Sequence, residues 1–175
     1  MNETGPLAMA ARTSFLLVLA LALQLSVAAR IDLFGAQGDL MLLVAIAAGL
    51  TTGPERGAML GFATGIAYDL LLQTPFGLSA LTYGIVAFLA GSLQDSVLRA
   101  AWWIPVSTAM AASGLGVILY GVFGTVVGED LVGWSLLRVA AVVALLNAVM
   151  ALPVVRAVRW ATGTIDGVRP RAVYR

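Results

Sequence analysis

The chain has no cysteine, no histidine and no lysine, and only 11% of its 175 residues are charged. Without cysteine there is no disulfide framework and no thiolate metal site. Without histidine, the commonest general base at neutral pH and the commonest metal ligand are both missing. The scarcity of charge, set beside 61% hydrophobic residues, lies far from the roughly half-apolar, quarter-charged composition of soluble domains. Long apolar runs take up almost the whole length, so no soluble domain of ordinary size fits beside them. These absences define an all-α integral membrane protein. The ten arginines and nine acidic residues leave a net charge of +1, but five of the arginines follow Ala151. The C-terminal end is therefore basic and suits an anionic membrane face.

Apolar runs at residues 13–29, 39–53, 57–72, 77–93, 100–127 and 131–155 predict a compact bundle of six transmembrane helices within residues 1–158, followed by a basic cytoplasmic tail at residues 159–175. The first run follows Arg12 and ends in Val27-Ala28-Ala29, as the apolar region of a signal peptide does; five further runs follow, and it is read as the first span. The second run is short for the ~20 residues a helix needs to cross hydrocarbon, so it is expected to draw in Gly38, Asp39 and Gly53 at its ends. Thr52-Gly53-Pro54-Glu55 is a sharp stop and restart, which makes spans two and three a tight hairpin. Arginine distribution sets the orientation: Arg12, Arg56, Arg99 and the five C-terminal arginines fall on one side, Arg30 and Arg138 on the other. Both termini are expected in the cytoplasm. Trp102, Trp103 and Trp160 then fall near the inner interface and Trp134 near the outer one, the levels that indoles prefer.

Span three carries Gly57, Gly61 and Gly65 at every fourth position, and span four carries Gly77, Ala80, Gly84, Ala87 and Gly91 on one face. Such small-residue stripes let helix backbones approach closely. They are expected to pack spans three and four together, or to offer a groove to a partner helix. Four polar residues fall inside the spans: Asp69, Arg138, Gln24 and Asn147. A carboxylate in hydrocarbon is costly, by about 2.5 to 3.5 kcal/mol at a helix centre. Asp69, near the outer end of span three, is expected either to cap the turn before Gly77 or to pair with Arg138 at similar depth in span six, with Asp39 a competitor for the same arginine. Gln24 and Asn147 read as interhelical hydrogen-bonding groups. Tyr68, Gln73 and Phe76 are candidates for lining an outer pocket.

Enzyme readings fail in turn. Gly77-Leu78-Ser79-Ala80 superficially resembles a rhomboid nucleophile site, but a serine nucleophile needs a general base and no histidine exists. Tyr68-Asp69 resembles half of an intramembrane aspartyl protease, while Gly38-Asp39 has Ala36 where the second half needs glycine. No metal cluster, phosphate-binding loop or nucleic-acid motif occurs. The chain is expected to be no enzyme, with no catalytic, cofactor-binding or metal site.

One further pattern spans residues 39–91. Asp39-Leu40 opens a short apolar span; Glu55-Arg56-Gly57-Ala58-Met59-Leu60-Gly61-Phe62 and Gly65-Ile66-Ala67-Tyr68-Asp69-Leu70 follow a tight turn; Pro75-Phe76-Gly77-Leu78 and Ala80-Leu81-Thr82-Tyr83 come next. This order resembles the MreD family of rod shape-determining proteins. Family members often have proline before the aspartate that opens span two; Gly38 stands there in this chain. The resemblance implies a non-catalytic scaffold or regulator of the bacterial cell-elongation complex, multi-pass in the cytoplasmic membrane. It implies binding to an MreC-like protein, and association with RodA, a class B penicillin-binding protein and MreB in lateral peptidoglycan synthesis. Membrane lipids are the other expected partners, and nucleic acid is not one. The fold it implies is similar to the substrate-binding subunits of energy-coupling-factor vitamin transporters, which supplies the alternative reading of a vitamin-binding membrane subunit. Neighbouring genes discriminate: an MreC-like frame favours wall synthesis, and ATPase genes favour transport.

Overall fold

A computed structural model describes residues 6–26, 32–33, 35–71, 75–94, 103–128 and 133–163. The elements are α1 (Pro6–Ser26), β1 (Asp32–Leu33), β2 (Ala36–Gln37), α2 (Leu40–Thr52), α3 (Pro54–Asp69), α4 (Leu78–Ser92), α5 (Trp103–Val126) and α6 (Trp134–Thr162). Among the described residues the chain is thus a six-helix bundle with one small antiparallel hairpin, in which Asp32 pairs with Gln37 and Leu33 with Ala36. Three helices are long and apolar enough to cross a membrane: α1 from Leu7, α5 and α6. Their outward surfaces carry Phe15, Leu19 and Leu23 on α1 and Leu145 and Val149 on α6, all exposed. In water such surfaces would drive aggregation; in a bilayer they are the lipid contact.

α2 differs from the others because every residue from Met41 to Thr51 is buried. Its thirteen residues rise only about 20 Å, well short of the ~30 Å of hydrocarbon. The shortfall is tolerated because α3, α4, α5 and α6 pack around it, so that protein rather than lipid meets most of its surface. A helix apolar on every face suits a position enclosed in this way. At its far end Thr51 Oγ1 donates to the Ala47 carbonyl at 2.7 Å, and Gln94 Nε2 donates to the Thr51 carbonyl at 2.9 Å. Gly53, at φ +90°, turns the chain into Pro54 at the first turn of α3. That φ favours glycine, and proline fits a first helical turn because its missing N–H would have no partner there.

The layers around α2 are built by backbone contact. A Cβ added at Gly61 would lie 2.7 Å from the Ala87 Cβ and 2.7 Å from the Tyr83 carbonyl oxygen, and one at Gly91 would lie 2.6 Å from Pro54 Cα. Gly57 meets the Gly49 backbone, Gly65 meets the Ala80 backbone, and Gly49 meets the Ala87 carbonyl more closely still. The stripe on α3 therefore faces α4 and α2 inside the bundle. Gly84 is different: its nearest neighbour, Phe62 Cβ, would be 3.5 Å away, an ordinary contact distance. Gly77 has no close neighbour, and its left-handed φ of +97° at the start of α4 is what requires glycine there.

α6 runs to Thr162, past residue 159 where the sequence placed the start of a tail. Near its end the Trp160 ring lies under the Arg12 guanidinium, 5.2 Å from the ring centroid, so the start of α1 and the end of α6 lie together. Arg30, Arg99, Trp102 and the tail from residue 164 lie outside the described residues.

Gly65→Ala should destabilise the protein by about 1–3 kcal/mol, because a methyl group there has only backbone to displace. Gly84→Ala should stay within about 0.5 kcal/mol. Unfolding of the purified variants in detergent measures both; equal costs at the two positions would contradict the packing described.

Candidate functional site

The polar side chains of the bundle gather at the head of α2, around Gly38, Asp39 and Leu40. Asp39 is the N-cap: its Oδ1 accepts from the Leu42 amide at 2.8 Å, and its carbonyl accepts from the Leu43 amide at 3.1 Å. Gln24, near the end of α1, accepts from the Leu40 amide at 2.7 Å and donates to the Gly38 carbonyl at 3.0 Å. From α6, Asn147 Nδ2 donates to the Asp39 carbonyl at 3.0 Å and to Ser113 Oγ of α5 at 2.9 Å. From α4, the Tyr83 hydroxyl donates to Asp39 Oδ2 at 2.6 Å. Tyr68 of α3 stacks on Tyr83 with ring centroids 6.3 Å apart, and its hydroxyl lies 3.5 Å from Gln24 Nε2. Side chains of α1, α4 and α6 thus bond the three-residue segment directly, while Tyr68 and Ser113 brace them.

A cavity of about 330 Å³ opens beside this cluster. Its polar walls are Gln24, Gln37, Asp39, Tyr68, Tyr83 and Tyr120, and Asp39 is the one charged residue lining it among the described residues. The exposed Gln37 of the hairpin stands at its rim. Among the described residues no three acidic side chains come together to hold a metal ion.

Asp69 lies apart from this cluster and is 3% exposed. One carboxylate oxygen accepts from the amides of Gly77 at 2.9 Å and Ala80 at 3.1 Å, and the other from the Ser79 amide at 3.1 Å. It joins the end of α3 to the first turn of α4, where unpaired N–H groups and the positive end of the helix dipole favour a carboxylate. The pairing with Arg138 considered from the sequence is not formed: Arg138 is exposed on α6, and Asp69 faces α4 instead. Its charge is met by three amides, so an arginine is not needed. Phe76 is also displaced from the expected outer pocket. It is 68% exposed in the turn before Gly77, a turn whose direction Asp69 fixes by holding the amides that follow. Tyr68 does line the cavity, and Gln73 lies outside the described residues.

Sequence reasoning missed the two residues at the centre of the cluster. Asp39 directly before an apolar run is the signature of an N-cap, a signal that was present but read only as a span end and a competitor for Arg138. Tyr83 appeared only as part of a motif, with no role. Ser113 gives no signal, since a lone serine in an apolar helix says nothing of its partner.

A family model described as rod shape-determining protein MreD matches residues 7–160 of the chain. The chain belongs to the MreD family. The match extends well beyond residues 39–91, from α1 to Trp160 in α6, so the whole bundle is the MreD unit. Membership makes this a membrane protein with a role in rod-shape determination, associated with the proteins of the cell-shape complex. MreD is a shape-determining family rather than one known for enzymatic activity. No curated protein and no solved structure matches the chain significantly, so the likeness to vitamin-transporter subunits rests on the sequence resemblance alone.

Asp69→Ala leaves three amides of α4 without an acceptor and should cost about 1–3 kcal/mol in unfolding free energy. Asp69→Asn, which keeps one accepting oxygen, should cost less, and Arg138→Ala should be near neutral. A loss at Arg138 as large as that at Asp69 would restore the ion pair.

Proposed function

We propose that this MreD-family chain is a non-catalytic scaffold of the cell-elongation complex that binds an MreC-like protein and, through it, acts with RodA, a class B penicillin-binding protein and MreB in lateral wall synthesis. The family match over residues 7–160 carries this reading. The geometry supports it in two ways. Gln24 and Asn147, polar residues within apolar spans, are spent on holding the main chain at the head of α2, and the outer faces of α1 and α6 are apolar and open to lipid or to a partner helix.

The protein sits in the bacterial cytoplasmic membrane with both termini inside and the hairpin outside. Arginine distribution supports this orientation, and the Arg12–Trp160 contact supports a shared side for the start of α1 and the end of α6.

Purified in mild detergent, the protein should retain an MreC-like partner, and its depletion from a rod-shaped source should yield spheres. Recovery of no partner together with a tightly held vitamin would overturn the scaffold reading. Cysteines introduced at Thr4 and Thr74 of this cysteine-free chain test the orientation: an impermeant thiol reagent added outside should label the second and not the first.

A further inference from the structure

The cavity at the head of α2 has one acidic residue among its polar walls and no basic one among the described residues. Asp39 brings a carboxyl group, Tyr68, Tyr83 and Tyr120 bring phenol side chains, and Gln24 and Gln37 bring amides. Asp39 is half-buried as a residue, lines the cavity, and forms no ion pair among the described residues. Its oxygens accept from the Leu42 amide and the Tyr83 hydroxyl, and the Met41 amide also bonds the group; a carboxylate has about four lone-pair sites, so accepting capacity is left. The rest of the wall is apolar and includes Leu42, Val117, Val139 and Val143.

A negative charge without a counter-charge in apolar surroundings is costly, and a cation brought to it recovers part of that cost. Among the described residues anionic ligands meet no positive side chain here. Divalent metal ions need several oxygen ligands with more than one carboxylate among them as a rule, and among the described residues the walls hold one carboxylate. A carboxylate with tyrosines near it suits an organic cation instead, which gains from the charge and from electron-rich rings close by.

We propose that this cavity is a binding site for an organic cation, an ammonium or amidinium-type group on a small body, held against Asp39 in the tyrosine-lined wall. The site goes beyond the scaffold reading and does not depend on which protein the bundle binds.

Three probes of one shape and different charge test it on the full-length protein in detergent at neutral pH: benzamidinium, benzamide and benzoate. Benzamidinium should bind saturably by calorimetry, at least about tenfold more tightly than the neutral and anionic probes. Asp39→Asn keeps a side chain able to cap α2 and should weaken benzamidinium by a similar factor. Val139→Trp, which fills the cavity without removing any hydrogen bond, should abolish binding. Where Asp39→Asn fails to fold, Val139→Trp and the charge series decide. No saturable binding, equal binding of benzamide or benzoate, or benzamidinium binding unchanged in the folded variants would overturn the proposal. Two further observations assign the source of the cation. An amine seen by native mass spectrometry on the wild-type protein but not on Val139→Trp assigns a free small molecule. Loss of benzamidinium binding when the copurified partner is present assigns a basic side chain of that partner.

Discussion

The constraint on which the bundle depends is the satisfaction of the main chain at the head of α2. The first amides of any helix have no partner within it, and a helix end enclosed by protein in a membrane has little water to turn to. Leaving such a group unpaired costs on the order of several kcal/mol. Here Gln24 takes the Leu40 amide, Asp39 takes those of Leu42 and Leu43, and Asn147 and Gln24 in turn bond the carbonyls of Asp39 and Gly38. The same side chains are therefore helix cap and interhelical tie at once. They fix where α1, α4 and α6 meet around the buried helix, and they create the polar wall of the cavity beside it.

A second device holds α3 and α4 to this centre. In lipid the hydrophobic effect gives little reason for helices to associate, so close packing and hydrogen bonds must supply it. The glycines of α2 and α3 bring backbone against backbone along the α4 surface, and Asp69 closes the same pair of helices at one end by capping α4. A negative charge on Asp69 is tolerated because it meets oriented amides, as at any well-capped helix start.

The bundle was legible in the sequence because apolar runs of membrane length and the Gly53-Pro54 stop are local signals. The α3 stripe was legible too, since glycines four apart on one helix share a face whatever they touch. The cluster was harder. Gln24 and Asn147 stood out as polar residues in apolar runs, but which main-chain groups they reach depends on how helices distant in sequence come together. Arg138 shows the limit of reasoning from depth alone: two residues at one level of the membrane still have to face each other, and Asp69 turns toward its own sequence neighbours. Asp39 was read past because a residue at a span's end is usually solvated, whereas the end of this short helix lies within the bundle.

For a shape-determining protein the arrangement separates two tasks. The buried centre holds the fold together through polar contacts inside, leaving the long outer helices apolar and open to lipid or other membrane proteins. Amide hydrogen exchange in lipid nanodiscs tests the central claim most directly. In Asn147→Leu, which removes the ties to the Asp39 carbonyl and to Ser113, the amides of residues 42–50 should exchange at least about tenfold faster than in the wild type, with those of residues 15–22 in α1 little changed. Exchange of α2 unaffected by that substitution, or accelerated only in step with α1, would contradict the account.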